Sequence, residues 1–219
     1  FPAGTNVRYN NCAFVLLGLA IENTSGIPYR RYAEEHVFRP AGMLNTEFCS
    51  MDGIHENVAE GYTTVFHRDA NGNEKAVGYK KNIYSYPPIG TPDGGAYTTA
   101  EDLNRFLSAV REGRLFSQKT VEQFLQPQIP ISRPYSHTDV PGALWKTGYA
   151  FEFLQVDGET FVMYKDGIND GVAGIFAFYP FADMTLTILA NQDCNVWEMQ
   201  RKFQSYLFER FWKQEREEP

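Results

Sequence analysis

The sequence predicts an α+β fold: an antiparallel sheet flanked by helices, most of them before the strands and one after. Three observations carry this. Between Phe151 and Ala190, apolar runs of strand length are separated by tight-turn signals. Before Pro127, apolar residues recur at helical spacing between helix start and stop signals. After Val196 an amphipathic stretch returns to the helical period and could cover one face of the sheet. The 219 residues are 43% hydrophobic and 21% charged, which suits one packed domain. We divide it into a helical lobe over about 9–127 and a sheet with the C-terminal helix over about 145–213.

The elements follow in order. Asn11 to Glu22 is apolar at helical spacing (Phe14, Leu17, Ile21) and closes at Thr24-Ser25-Gly26. Pro28 opens a second helix through about Phe38, which Arg39-Pro40 should end. Residues 39–62 read as irregular, and Asp69-Ala70-Asn71-Gly72 as a turn between short strands. Thr98-Thr99-Ala100-Glu101-Asp102 has the form of a capping box. It opens a helix with Leu103, Phe106, Leu107 and Val110 on one face and a stop near Gly113. Another helix spans about Gln118 to Leu125.

The strands begin with Phe151–Gln155 and Thr160–Tyr164, which flank the hairpin signal Val156-Asp157-Gly158-Glu159. Val172–Tyr179 and Met184–Ala190 follow, joined at Pro180-Phe181-Ala182-Asp183. The closing helix runs from about Val196 to Trp212, with an apolar stripe of Met199, Phe203, Leu207 and Phe211. Lys213 to Pro219 reads as a charged, fraying end.

Composition excludes several classes. Net charge is −7 and no Lys/Arg run exceeds a pair, so nothing points to a nucleic-acid face. Cys12, Cys49 and Cys194 have neither disulfide-framework nor metal spacing, and Cys12, in an apolar run, reads as a buried thiol. His36, His55, His67 and His137 show no paired ligand spacing, so no metal is expected. There is no apolar run of about 18 residues that would span a membrane. The compartment is not set by composition.

Four segments carry chemistry, in this order. The first is Pro2-Ala3-Gly4-Thr5 followed by Arg8-Tyr9-Asn10-Asn11 and an apolar helix. The second is Val37-Phe38-Arg39-Pro40-Ala41-Gly42-Met43-Leu44-Asn45-Thr46. The third is Asp93-Gly94-Gly95-Ala96-Tyr97-Thr98-Thr99-Ala100-Glu101-Asp102-Leu103. The last is Lys165-Asp166-Gly167, then Gly171, Phe178-Tyr179-Pro180 and Leu189-Ala190-Asn191. Each alone is weak, because short glycine-rich strings arise by chance; four in order across the chain are strong.

Together they resemble the C-terminal part of the penicillin-recognising serine hydrolases, the class C β-lactamase and D-alanyl-D-alanine carboxypeptidase family. Acyl transfer needs a nucleophile, a base and donors aimed at the oxyanion. The resemblance makes Tyr9 the base or proton relay and Asn11 a ligand of the substrate amide. It makes Lys165 the cation that holds a substrate carboxylate, and Gly167 the place where substrate lies against the strand. Ile168 would offer its backbone N–H to the oxyanion. Tyr9 and Lys165 should then face one cleft, with Lys146 next in line if they do not. Two plainer readings stay open beside these: Tyr9 and Asn11 as caps of the first helix, and Lys165 as a solvated strand residue before a turn. The family's cation sits in a K-T-G or H-x-G strand, matched here by Lys165-Asp166-Gly167; the literal Lys146-Thr147-Gly148 reads as a chance match, because Tyr149-Ala150-Phe151 resembles the strand that precedes that motif.

The sequence departs from the family in two ways. Asp166 stands where a small hydroxyl or glycine is usual, and its carboxylate would partly neutralise Lys165. The family's S-x-x-K pair is also missing: none of Ser25, Ser50, Ser85, Ser108, Ser117, Ser132, Ser136 and Ser205 has lysine three residues on. In family order that pair precedes the tyrosine, so the nucleophile segment is expected to lie outside these residues.

The implied function is an acyl-enzyme hydrolase of an amide or ester (a β-lactam, a D-Ala peptide or a carboxylic ester), inactive alone and without metal or organic cofactor. Its partners would be a small-molecule or peptide acyl substrate, and an oligomer or chain carrying the missing segment. The family is often periplasmic or extracellular. The rivals are a non-catalytic binding or regulatory module that kept the fold, and a truncated product with no role of its own.

Overall fold

Six antiparallel strands form the main sheet in chain order, β3 to β8, each paired with the next. The computed structural model describes residues 1–85, 87–131 and 138–217; Ser132, Ser136 and His137 lie outside the described residues. Its central hairpin joins β5 (Glu152–Val156) to β6 (Glu159–Asn169) through Asp157 and Gly158, both at positive φ, as a tight hairpin turn requires. β7 (Val172–Tyr179) and β8 (Met184–Ala190) complete the meander, joined by a 3-10 turn at Pro180–Ala182. Period-2 alternation separates the two faces. Phe153, Met163, Phe176 and Phe178 lie on one face, with Phe151 beside them; Leu154, Val162, Tyr164, Ile175 and Tyr179 lie on the other.

The first face packs on α4 (Ala100–Arg111) and α5 (Gln118–Phe124) through Leu103, Phe106, Leu107 and Phe124. The second packs on α6 (Val196–Leu207), where Phe161, Phe181, Phe208 and Trp212 form an edge-on aromatic cluster with Tyr179. The result is three layers: helical lobe, sheet, C-terminal helix. A separate hairpin, β1 (Tyr62–Arg68) and β2 (Glu74–Lys81), stands beside the sheet and turns at Gly72.

Several expectations change on contact with the structure. Two strands were not legible: β3 (Ile129–Pro130) and β4 (Leu144–Thr147), which extend the sheet past β5. They are short, and Pro130 argues against a strand unless it lies at an edge, as here. Pro40 does not end the second helix. That helix runs α2 (Tyr29–Ala33), a π-turn at Glu34–Phe38, then α3 (Arg39–Ala41). Gly42 ends it in the left-handed conformation, with Gly42 N–H donating to Arg39 O and Met43 N–H to Phe38 O, a Schellman stop. Met199 and Phe211, assigned to the C-terminal helix's apolar stripe, are exposed, while Val196, Gln200, Gln204, Leu207, Phe208 and Trp212 are buried. A π-turn at Phe208–Trp212 inserts an extra residue and puts Trp212 inward in place of Phe211. The supposed fraying end is helical at α7 (Gln214–Glu217).

α1 (Asn11–Ser25) closes as predicted, with Gly26 in the left-handed conformation; its N-cap is Asn10, which accepts from Ala13 N–H. It touches the rest of the lobe along a narrow seam. At Gly18 a Cβ would lie 2.1 Å from Pro92 Cγ, so only glycine allows that approach. The rest of its apolar surface is open, and Cys12, read as a buried thiol, is exposed. Among the described residues no helix is long and apolar enough to cross a membrane.

Candidate active site

The site lies where the lobe meets the C-terminal half of β6. β5 pairs with β6 only as far as Tyr164, whereas β7 pairs with it out to Asn169. Residues Lys165–Asn169 therefore have one strand edge free of β5, a place where an extended chain could add its own backbone. Beside that edge opens an apolar cleft of about 320 Å³, walled by Leu103 and Phe106 of α4, Phe124 of α5, and Phe151, Phe176 and Leu189 of the sheet.

Two residues from opposite ends of the chain meet at this cleft. Lys165 Nζ lies over the Tyr9 ring, 5.4 Å from its centroid, within cation–π range. Tyr9 is delivered by the extended segment ending at the Asn10 cap, and Lys165 by β6. Asn11 is the first residue of α1 and exposed; the capping role falls to Asn10, not to Tyr9 or Asn11. Gly167 faces open space where a Cβ would be and stands opposite Gly174, so the strand surface there is bare. Ile168 follows on the same open edge and is exposed. Lys165 is a paired strand residue, and Asp166-Gly167 continues the strand instead of turning. Lys146 sits in β4, hydrogen-bonded into the sheet between β3 and β5, two strands from β6.

Three acids hold the surroundings of the site together. Asp166 Oδ2 accepts the Trp197 indole N–H at 2.5 Å, while Oδ1 lies 3.5 Å from Lys165 Nζ. Asp193 accepts from Thr64 N–H at 2.7 Å and Gly171 N–H at 3.1 Å, tying the β1–β2 hairpin to the β6–β7 turn. The Thr64 N–H, then the Gly171 N–H, hold its carboxyl below the usual range. Asp102, wholly buried, accepts from Asn45 N–H, Thr46 Oγ1 and Arg105 Nη1 at 2.7–2.8 Å. Burial pushes its carboxyl up, but these hydrogen bonds outweigh that and hold it below its ordinary value. Only Asp102 had a local signal, the capping box; the partners of the other two are distant in sequence. Among the described residues no group of three His, Cys, Asp or Glu side chains converges to hold a metal.

An antiparallel sheet between a helical lobe and a C-terminal helix is the architecture of the penicillin-binding-protein and β-lactamase fold. The Beta-lactamase family profile matches residues 1–207, and the chain belongs to that family. It is 29% identical over 193 residues to a human protein, putative beta-lactamase-like 1, covering 85% of this chain and 34% of that protein. It is 26% identical over 183 residues to the Escherichia coli D-alanyl-D-alanine-carboxypeptidase/endopeptidase AmpH, covering 81% of this chain and 43% of that one. The crystal structure of a penicillin-binding protein from Bacillus halodurans superposes with a TM-score of 0.79 at 30% identity, over 94% of this chain and 58% of that one. The chain thus spans less than half the length of these two curated relatives.

Proposed function

We propose that this domain supplies the tyrosine, the cation and the strand edge of an acyl-transfer site for amides or esters. The serine nucleophile would come from an S-x-x-K segment outside these 219 residues. The observation that carries the reading is the approach of Lys165 Nζ to the Tyr9 ring beside the bare Gly167 edge of the apolar cleft. In this reading Tyr9 takes the serine proton as it attacks the carbonyl and returns it to the leaving group, with the Lys165 ammonium lying over its ring. Asn11 orients the substrate amide, and the Ile168 N–H donates to the oxyanion.

The same reading accounts for α1. Ala13, Leu16, Leu17 and Ala20 are exposed at helical spacing, a stripe that a further helix would cover. The incoming segment would cover it while presenting its serine to Tyr9. The 219-residue chain should therefore not hydrolyse a chromogenic cephalosporin or a p-nitrophenyl ester, and should self-associate on sedimentation at micromolar concentration. A polypeptide that includes an S-x-x-K segment should hydrolyse one of them, and Tyr9→Phe should slow it about a hundredfold or more. A covalent acyl adduct on the 219-residue chain, seen by intact mass, would defeat the reading. Asp166 beside Lys165 favours the alternative of a binding module that kept the fold; loss of hydrolysis by the longer polypeptide, with retained ligand binding, would select it.

A further inference from the structure

We propose that Asp166 sets the substrate class of this site, selecting esters and amides that carry no carboxylate beside the scissile bond. This rests on the acyl-transfer reading of the cleft. Lys165 and Asp166 are the only charged residues among the described residues at the cleft, and although strand alternation turns the Asp166 side chain toward α6, its carboxylate stays 3.5 Å from Lys165 Nζ, so the charges of the pair sum to zero. The carboxylate is held in place: one oxygen takes the Trp197 indole N–H at 2.5 Å, the other lies 3.5 Å from Lys165 Nζ, and the side chain is only 15% exposed. Rotating it away would leave a partly buried indole N–H without its acceptor, which is costly.

A substrate anion reaching Lys165 would therefore come close to Asp166 as well. Coulomb energy falls only as the inverse of distance, so the two contributions largely cancel across a few ångströms. What remains is the cost of drawing a carboxylate out of water, with little to offset it. A neutral ester or amide incurs no such cost, and the open space at Gly167 leaves room for its carbonyl beside the strand. Lys165 then stays over the Tyr9 ring and is not available as an anion clamp.

The test uses the full natural polypeptide that contains these residues, with two probes that differ only in charge: N-acetyl-D-alanine and its neutral amide. Calorimetry should find that wild type binds the amide at least as tightly as the acid. Asp166→Thr and Asp166→Asn should shift the preference toward the acid about tenfold, about 1.4 kcal/mol, and more at low salt. A merely structural role would weaken both probes alike. Should the threonine variant fail to fold, the isosteric asparagine, which keeps an acceptor for Trp197, carries the test. An unchanged ratio in a folded variant, or a tenfold wild-type preference for the acid, overturns the assignment. If neither probe binds any of the proteins at millimolar concentration, the acyl-transfer reading fails, and this assignment fails with it.

Discussion

Leu154 and Leu17 are the same residue in opposite circumstances. Leu154, on β5, is 0% exposed in the layer between the sheet and α6. Leu17, on α1, is 58% exposed, and its neighbour Leu16 is 64% exposed. The two regions differ in what opposes them. Each sheet face meets a helix whose apolar stripe matches it, so strand period and helix period agree about where the core lies. α1 is apolar around most of its circumference, which in a globular protein marks a helix covered on more than one side. Within the described residues only its Gly18 seam is covered. The sheet side is a finished core; α1 is an open apolar surface.

The largest expected effect lies on the finished side. Phe161 is fully buried and stacks against Phe181, with Tyr179, Phe208 and Trp212 edge-on around it. Phe161→Ala should cost about 3–5 kcal/mol, from lost burial and the cavity left behind. Chemical denaturation followed by tryptophan fluorescence would measure it. A cost near 1 kcal/mol would mean that this core is loose and that the contrast with α1 is one of degree.

What could be read in advance follows the same division. The strands β5 to β8, the Gly26 stop of α1, the threonine cap of α4 and the tight turn at Asp157-Gly158 are set by residues close in sequence, so they were legible. The helix stop at Gly42, the inward turn of Trp212 and the strand β4 depend on π-turns or on pairing with distant chain, which no local period encodes. The site divides likewise. The motif order picked out Tyr9, Lys165 and Gly167, but the grip of Trp197 on Asp166 joins residues 31 apart and had no signal. The openness of α1 was hidden for a plainer reason: an apolar helix reads the same whether it is covered or exposed.

An intermediate effect is expected at Asp102, which separates the well-held part of the helical lobe from α1. Its carboxylate joins α4 to the Asn45-Thr46 segment. Asp102→Asn keeps the shape and removes the charge, at a cost of about 2 kcal/mol at neutral pH, the range for hydrogen bonds to a charged group. The sign with pH follows from its lowered carboxyl value. A group whose folded pKa is depressed contributes its stability above the unfolded value near 3.9, and loses it as pH falls through the folded value. Wild type and variant should therefore differ in denaturation midpoint at pH 7 and converge below about pH 4. Equal pH slopes would show that the lobe is held by its apolar contacts alone.

The smallest expected effect gives the sharpest test of the contrast. If α1 faces water as the structure has it, Leu17→Lys removes little burial and breaks no hydrogen bond. The cost to folding of the 219-residue chain should stay within about 0.5 kcal/mol, as for other exposed positions. Lysine at an uncovered stripe should also reduce self-association, because it puts a charge where another apolar surface would have to dry it. Sedimentation and denaturation on the same sample separate the outcomes. Unchanged stability with weaker association supports an open contact surface on α1. A loss of 2 kcal/mol or more, comparable with a buried leucine, would mean that Leu17 is already covered in solution. In that case α1 belongs with the sheet as part of a finished core, and the difference between the two leucines disappears.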